Sequence, residues 1–433
     1  MIHRSLLQVR KLAHQAVRKL INSLPQSKKF AVYRSFVDCD PAPTERLVLK
    51  IAETQEELEA CFALLHDAYV GVGFMKPHPS GMRVTIYHAL PTTTTLCAKW
   101  DGEVIGTLSL IRESALGFPL QRIFDLTEVR AQEGNIAEVS ALAVHRKFRK
   151  TGGSILFPLM KFMYEYCTTF FDTRHLVIAV NPSHIEMYES LLFFRRLNAN
   201  MVENYDFVNG APAVGATLDL YSAEQVFKRY YASKPAKRNL HAYFTEVKLP
   251  NIQLPQRRYY TTNDPVMTPE LLNHFFNIRT QVFENLDERQ KALLHDIYDL
   301  PEYRRYLPDV HREEVAAPVR RHERFSVKCP GELSYVTAEG AKASVQIDVI
   351  QVSYEGFQAR AFIPVPLETW AETTVQLGEA DISHLTAQAV REVGQGFYGF
   401  HLSRTDSIWS MFVSALYKGS THGDLHGQHR QHR

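Results

Sequence analysis

Apolar residues at Ile2, Leu6, Val9, Ala13, Val17, Leu20 and Leu24 recur every three or four positions. That spacing predicts a helix with one apolar stripe, which Pro25 brings to an end. Beyond it the periods alternate. Residues 47–51 read as a strand, and 56–69 as a helix with Leu58, Phe62, Leu65 and Tyr69 on one face. Residues 95–100 and 104–111 alternate on either side of Asp101-Gly102, the pattern of a hairpin. Residues 137–144 form a further strand, 155–170 an apolar helix and 175–180 a strand. Asn181-Pro182 then predicts a helix start with Asn181 as cap. The product is an α+β domain over residues 47–220, a mixed sheet with helices.

Residues 221–315 turn polar and aromatic, and Pro235, Pro250, Pro255 and Pro265 punctuate extended segments. Thr268-Pro269-Glu270 opens an apolar helix, and residues 289–300 read as a second; the pair is expected to pack on the first lobe. From 318 to 418, six short alternating runs (331–336, 344–352, 357–361, 373–377, 385–393 and 399–402) predict a small β-barrel. Residues 407–416 add a closing helix. The tail, 419–433, scatters His422, His426, His429 and His432 among Gly, Gln and Arg, a composition that predicts disorder and no metal site.

Composition adds what periodicity cannot. A chain of 433 residues with 45% hydrophobic and 22% charged residues is long enough for two or three folded domains. It is not a disordered, collagen-like or coiled-coil chain. No apolar run reaches the roughly 18 residues of a membrane-spanning helix. Five dispersed cysteines without a CxxC pair encode neither a disulfide framework nor a zinc knuckle, which predicts a reducing, cytoplasmic location. The net charge of +2 hides an asymmetry: the first 30 residues carry seven Lys or Arg and no acid, so the rest is mildly acidic. A basic amphipathic helix over 1–30 suits an anionic membrane surface, which would place the protein at the inner-membrane periphery, or an acidic carrier protein. Docking on its own domain is equally consistent with the pattern. Arg257-Arg258-Tyr259-Tyr260 is a single basic-aromatic tetrad in an acidic body, so no nucleic-acid partner is expected.

Candidate chemistry starts at the turn between strand 137–144 and helix 155–170. Gly152 and Gly153 after Arg149 can point backbone N–H groups at an anion near a helix N-terminus, although a Gly-Gly pair also serves as a plain tight turn. The surroundings decide more. Ala137-Glu138-Val139-Ser140-Ala141-Leu142-Ala143-Val144, then Arg146, Arg149 and the glycine turn, and Val180-Asn181-Pro182-Ser183-His184-Ile185-Glu186-Met187-Tyr188 before Leu192-Phe193-Phe194 resemble the bacterial N-acyl amino acid synthases. These are relatives of acyl-homoserine lactone synthases within the GNAT acyltransferase superfamily. Gly106-Thr107-Leu108-Ser109-Leu110 and Gly210-Ala211-Pro212-Ala213-Val214 look like the same family. Ser154 departs from the superfamily's Gly or Ala, which weakens the expectation of coenzyme A and is compatible with an acyl carrier protein as donor.

The resemblance implies a splayed strand pair that receives a pantetheine arm. It implies Glu138 taking the ammonium proton, Tyr188 as general acid with His184 one turn earlier, and Arg149, Gly152 and Gly153 at the donor's phosphate or carrier. Acyl-ACP or acyl-CoA would be the co-substrate and an amino acid the acceptor, with no tightly bound cofactor. Phe157, Leu159, Met160, Phe162 and Met163 supply apolar surface, which the acyl chain or the core could use.

The barrel segment resembles a PilZ domain, a cyclic di-GMP receptor. Arg320 and Arg324 match its RxxxR pattern with Arg321 between, Ser353 and Gly356 its second motif, and Tyr398-Gly399-Phe400-His401-Leu402 its late strand. Guanidiniums bind phosphates and guanine edges bidentately, which suits that ligand. Gln351 replaces the usual Asp or Asn two residues before the Ser and moves the acceptor. The expected function is an N-acyltransferase for fatty acyl groups, regulated by cyclic di-GMP. The alternative is a non-catalytic receptor with a lobe that binds an acyl carrier or lipid.

Overall fold

The computed structural model describes residues 23–149, 153–198, 201–255, 257–261, 267–298, 301–310, 325–337, 340–394 and 396–417. The predicted N-terminal stripe falls almost wholly outside these residues, as do Gly152, Arg320, Arg321, Arg324 and the C-terminal tail. The first element is helix α1 (Gln26–Ser35), which follows Pro25. It docks on the lobe: Lys29 pairs with Glu186 at 2.6 Å and Arg34 donates to the Ser190 carbonyl.

The first lobe is one sheet of eight strands: β1 (Leu47–Ile51), β2 (Thr93–Trp100), β3 (Glu103–Arg112), β4 (Asn135–Val144), β5 (Thr173–Val180), β6 (Arg195–Arg196), β7 (Val202–Tyr205) and β8 (Ala211–Asp219). The order is β1-β2-β3-β4-β5-β8-β6, with β7 beside β8. Every pairing is antiparallel except β4 with β5. The hairpin forms as predicted, and Asp101 and Gly102 both adopt the positive φ that such a turn demands. Helix α2 (Gln55–Val72), capped by Thr54, covers one face. Helix α3 (Leu156–Phe171) covers the other, burying Phe157, Leu159 and Phe162 in the core.

The chain departs from its local pattern at two places. The helix expected at Asn181 starts later, as α4 (Ile185–Leu192), because the Asn181 side chain is satisfied locally: its Oδ1 accepts from the Ser183 N–H at 3.0 Å and hydroxyl at 2.6 Å. The segment after residue 220, read as extended, begins with α5 (Leu220–Tyr231) and α6 (Leu240–Thr245). Ala223, Phe227 and Tyr231 lie four apart and bury one face against the lobe. The two later helices are present. Thr268 caps α7 (Pro269–Leu272), which continues as a wider-wound turn to Arg279, and Asp287 caps α8 (Glu288–Ile297). Phe275 packs edge-on against Phe62, and the Tyr298 hydroxyl donates to the Ala89 carbonyl, so the pair seats on the lobe as expected.

The second unit is a closed barrel of β9 (Phe325–Val336), β10 (Lys342–Val352), β11 (Gly356–Ala361), β12 (Trp370–Gln376), β13 (Ile382–Gly394) and β14 (Phe397–Arg404). Helix α9 (Ser407–Tyr417) plugs it with Trp409, Phe412 and Val413, all fully buried. A segment from the middle region joins the units. Ile252 bridges to Leu49 at the sheet edge, Arg257 donates to the Tyr166 hydroxyl on α3, and Tyr259 packs on Phe412 inside the barrel core. Lys328–Asp172 and Arg360–Glu133 ion pairs complete the contact.

Gly356 has a structural reason to be glycine: a Cβ there would lie 2.3 Å from the Phe400 carbonyl of the neighbouring strand. Gly356→Ala is expected to cost about 1–3 kcal/mol of barrel stability. Chemical denaturation followed by Trp fluorescence checks this.

Candidate active site

The site begins where β4 and β5 part. They pair from Asn135↔Thr173 to Glu138↔Val177 and no further. Beyond Glu138 the strand bulges: Ser140 pairs with Ser109 and Ala143 with Thr107, so Ala141 and Leu142 together face Leu108. Ala141 takes a φ of 55°, a left-handed conformation that a non-glycine residue adopts at a cost. The bulge turns β4 away from β5 and opens a wedge between parallel strands.

Glu138 sits at the apex of the wedge, only 2% exposed. Its Oε2 accepts from the Leu120 N–H at 3.1 Å, and no cation pairs with it among the described residues. Burial pushes its carboxyl pKa up to about 8. Tyr87 and Tyr205 lie close enough for a Glu138 charge to raise both phenols, and the buried Tyr205 hydroxyl has no hydrogen-bond partner among the described residues.

Beside Val139, the residue after Glu138, lies an apolar cavity. Val139 and Leu142 of the bulge, Met160 and Met163 of α3, Tyr188 of α4, and Phe227 of α5 are among its walls. Met160 and Met163 belong to the core and also line the cavity, whereas Phe157, Leu159 and Phe162 belong to the core alone. Burial pushes the Tyr188 phenol up to about 12, so it stays protonated and keeps a hydrogen to donate.

A second, larger pocket is lined by Arg83, Thr85, Tyr87, Arg122 and Phe207, among others. Arg83 stacks on Tyr69 at 4.2 Å and Phe207 at 4.9 Å and donates to the Phe207 carbonyl. Among the described residues no carboxylate lines this pocket, so it favours an anionic group. Its outer wall, Thr280, Val282, Asn285, Leu286 and Gln290, comes from the α7–α8 connection.

The predicted residues are thus placed unequally. Glu138 and Tyr188 border the same wedge. His184 does not join them: it precedes the helix, is exposed, and its Nδ1 faces the Ser183 hydroxyl. Arg149 is exposed and donates to the Val144 carbonyl at the end of β4. Gly153 has φ +95°, and a Cβ on it would strike the Phe157 ring at 2.6 Å. Ser353 caps its own turn, with N–H and Oγ both donating to the Gly356 carbonyl. Sequence reasoning missed Arg83, Arg122, Tyr87, Tyr205 and the 280–290 wall, which stand on separate loops with no common spacing.

Residues 60–219 match the family model of the N-acyl amino acid synthase FeeM. This lobe is an acyltransferase domain. Among solved structures, FeeM from uncultured soil microbes is 25% identical over 42% of this chain and 94% of its own, with a TM-score of 0.35. A CoA-dependent acyl-homoserine lactone synthase, BjaI, is 20% identical over 44% and 92%, with a TM-score of 0.33. The synthase LasI is 16% identical over 49% and 98%, with a TM-score of 0.33. Comparison with curated proteins gave no match. The acyltransferase match ends before α5, so both the α5–α6 wall of the apolar cavity and the 280–290 wall of the cationic pocket lie outside it.

Between the ordinary carboxyl range and about 8, folded protein holds a proton on Glu138 that the unfolded chain has released. Stability should therefore fall as pH rises through that window, by about 1.4 kcal/mol per unit from this group. Glu138→Gln should remove that slope, measured by denaturation at a series of pH values.

Proposed function

We propose that the chain transfers a fatty acyl group from a thioester, on acyl carrier protein or coenzyme A, to the amine of an amino acid. The observation that carries this reading is a buried, proton-retaining carboxyl that directly precedes Val139 in the wall of an apolar cavity and acts electrostatically on Tyr87 in the wall of a cationic pocket, on an acyltransferase lobe. The acyl chain lies in the cavity with its carbonyl at the β4 bulge. The acceptor's carboxylate lies near Arg122 and Arg83, which directs its amine toward Glu138. Ionised Glu138 takes a proton from the ammonium, and the amine attacks the carbonyl carbon. The C–S bond breaks, the thiolate leaves with Tyr188 donating to it, and the second nitrogen proton ends on the released thiol. Arg149 and the Gly153 turn, at the N-terminus of α3, would hold the donor's phosphate.

Regulation by cyclic di-GMP is the finer half of the proposal. Arg320, Arg321 and Arg324 precede β9 in sequence, and the barrel contacts the lobe at Glu133 and Asp172, which flank the start of β4 and β5. Nucleotide bound at those arginines would act on the base of the wedge.

Purified protein given acyl-carrier thioesters and amino acids should release free thiol and form acyl amino acids by mass spectrometry; no thiol release overturns the reading. Turnover should rise with pH toward about 8 as Glu138 ionises, and Glu138→Gln should lose most of it. Arg122→Gln should raise the acceptor KM about tenfold with kcat little changed. Calorimetric titration should give cyclic di-GMP binding that Arg324→Ala removes; no heat with wild type leaves the barrel without that role.

A further inference from the structure

The α5–α6 wall of the apolar cavity contains a polar atom that acyl transfer does not use. His241 lines the cavity and is 8% exposed. Its Nδ1 lies 3.7 Å from the Glu246 carboxylate, beyond hydrogen-bond distance. Nε2 is buried with no hydrogen-bond partner among the described residues. The wall is also held in place. Lys161, buried in α3, donates to the Phe244 carbonyl at 3.3 Å, and Tyr164 and Phe227 both pack edge-on against the Phe244 ring. Thr245 offers no relief, because its hydroxyl already donates to the His241 carbonyl at 2.8 Å. The surrounding wall is mainly apolar, with Met160, Met163, Ala223 and Phe227 nearby in the lining.

An unpaired buried ring nitrogen destabilises whatever fills the space beside it unless that occupant brings a hydrogen-bonding partner. A plain hydrocarbon chain brings none. A hydroxyl can donate or accept, so it satisfies the nitrogen in either tautomer. We propose that His241 Nε2 reads a hydroxyl on the acyl chain, so that the favoured donor is a hydroxylated fatty acyl thioester. This rests on the assignment of the cavity to the acyl chain. His241 touches the chain away from the reacting carbonyl, so it is a specificity residue and not part of the transfer chemistry.

The test separates the two assignments by measuring binding without turnover. Full-length protein is titrated calorimetrically with dodecanoic acid and with each of its monohydroxylated isomers. One isomer should bind about tenfold more tightly than the parent acid, the worth of one neutral hydrogen bond. His241→Leu should erase that advantage while still binding dodecanoic acid, with a thermal melt confirming the fold. His241→Gln, which keeps an acceptor oxygen, should retain part of it. Equal affinities for all isomers in wild type, or an undiminished preference in His241→Leu, overturn the proposal while leaving the cavity's role intact. Failure of every fatty acid to bind overturns the cavity assignment and this proposal together.

Discussion

The parting of β4 from β5 after Glu138 is the constraint on which the rest of the site depends. Two parallel strands that stayed paired would spend their backbone hydrogen bonds on one another and leave no space between them. Here the bulge at Ala141–Leu142 adds a residue to β4, turns the strand and ends the pairing at Glu138↔Val177. The cavity walls come from β3, β4, β5 and β8 on the sheet and from α3, α4, α5 and α6 facing it. An extended thioester arm carrying its own amide groups is a natural occupant for such an edge, since it can supply the missing backbone partners.

Two buried glutamates in the same lobe show how environment assigns work. Burial alone would push Glu57 upward, but hydrogen bonds from Lys99 and Lys50 outweigh it and hold its carboxyl at about 2. Glu57 thus ties α2 to β1 and β2 as a permanent anion. Glu138 is buried without a cation among the described residues, keeps its proton near neutrality and directly precedes Val139 in the apolar cavity's wall. A carboxyl that titrates near the working pH can exchange a proton during a reaction; one held at about 2 cannot.

The substrate-facing walls are divided between the acyltransferase core and later chain. Val139, Leu142 and Tyr188 lie within the matched region, whereas α5, α6 and residues 280–290 come after it. Glu138 and Tyr188 thus lie within the matched region, and part of each pocket's wall lies beyond it. The buried Lys161 and the Phe62–Phe275 contact tie these segments to the core.

The sequence by itself determined the local elements and their order. Period-two runs became β1 to β5 and the six barrel strands, and Thr54, Thr268 and Asp287 capped helices by short-range hydrogen bonds. Asp101-Gly102 turned a hairpin, and Glu138 was legible because a strand motif surrounds it. Asn181 misled, since one carboxamide satisfies either a helix end or its own turn. The four-residue spacing of Ala223, Phe227 and Tyr231 went unread because polar and charged residues dominate the rest of that helix; the prolines begin only after it, at Pro235. Only the tertiary structure brought Arg83, Arg122 and Phe207 to one pocket, closed that pocket with residues 280–290 from far along the chain, and left His241 Nε2 buried without a partner among the described residues. Local pattern is carried by neighbours along the chain; desolvation and convergence are made by long-range packing, and no spacing encodes them.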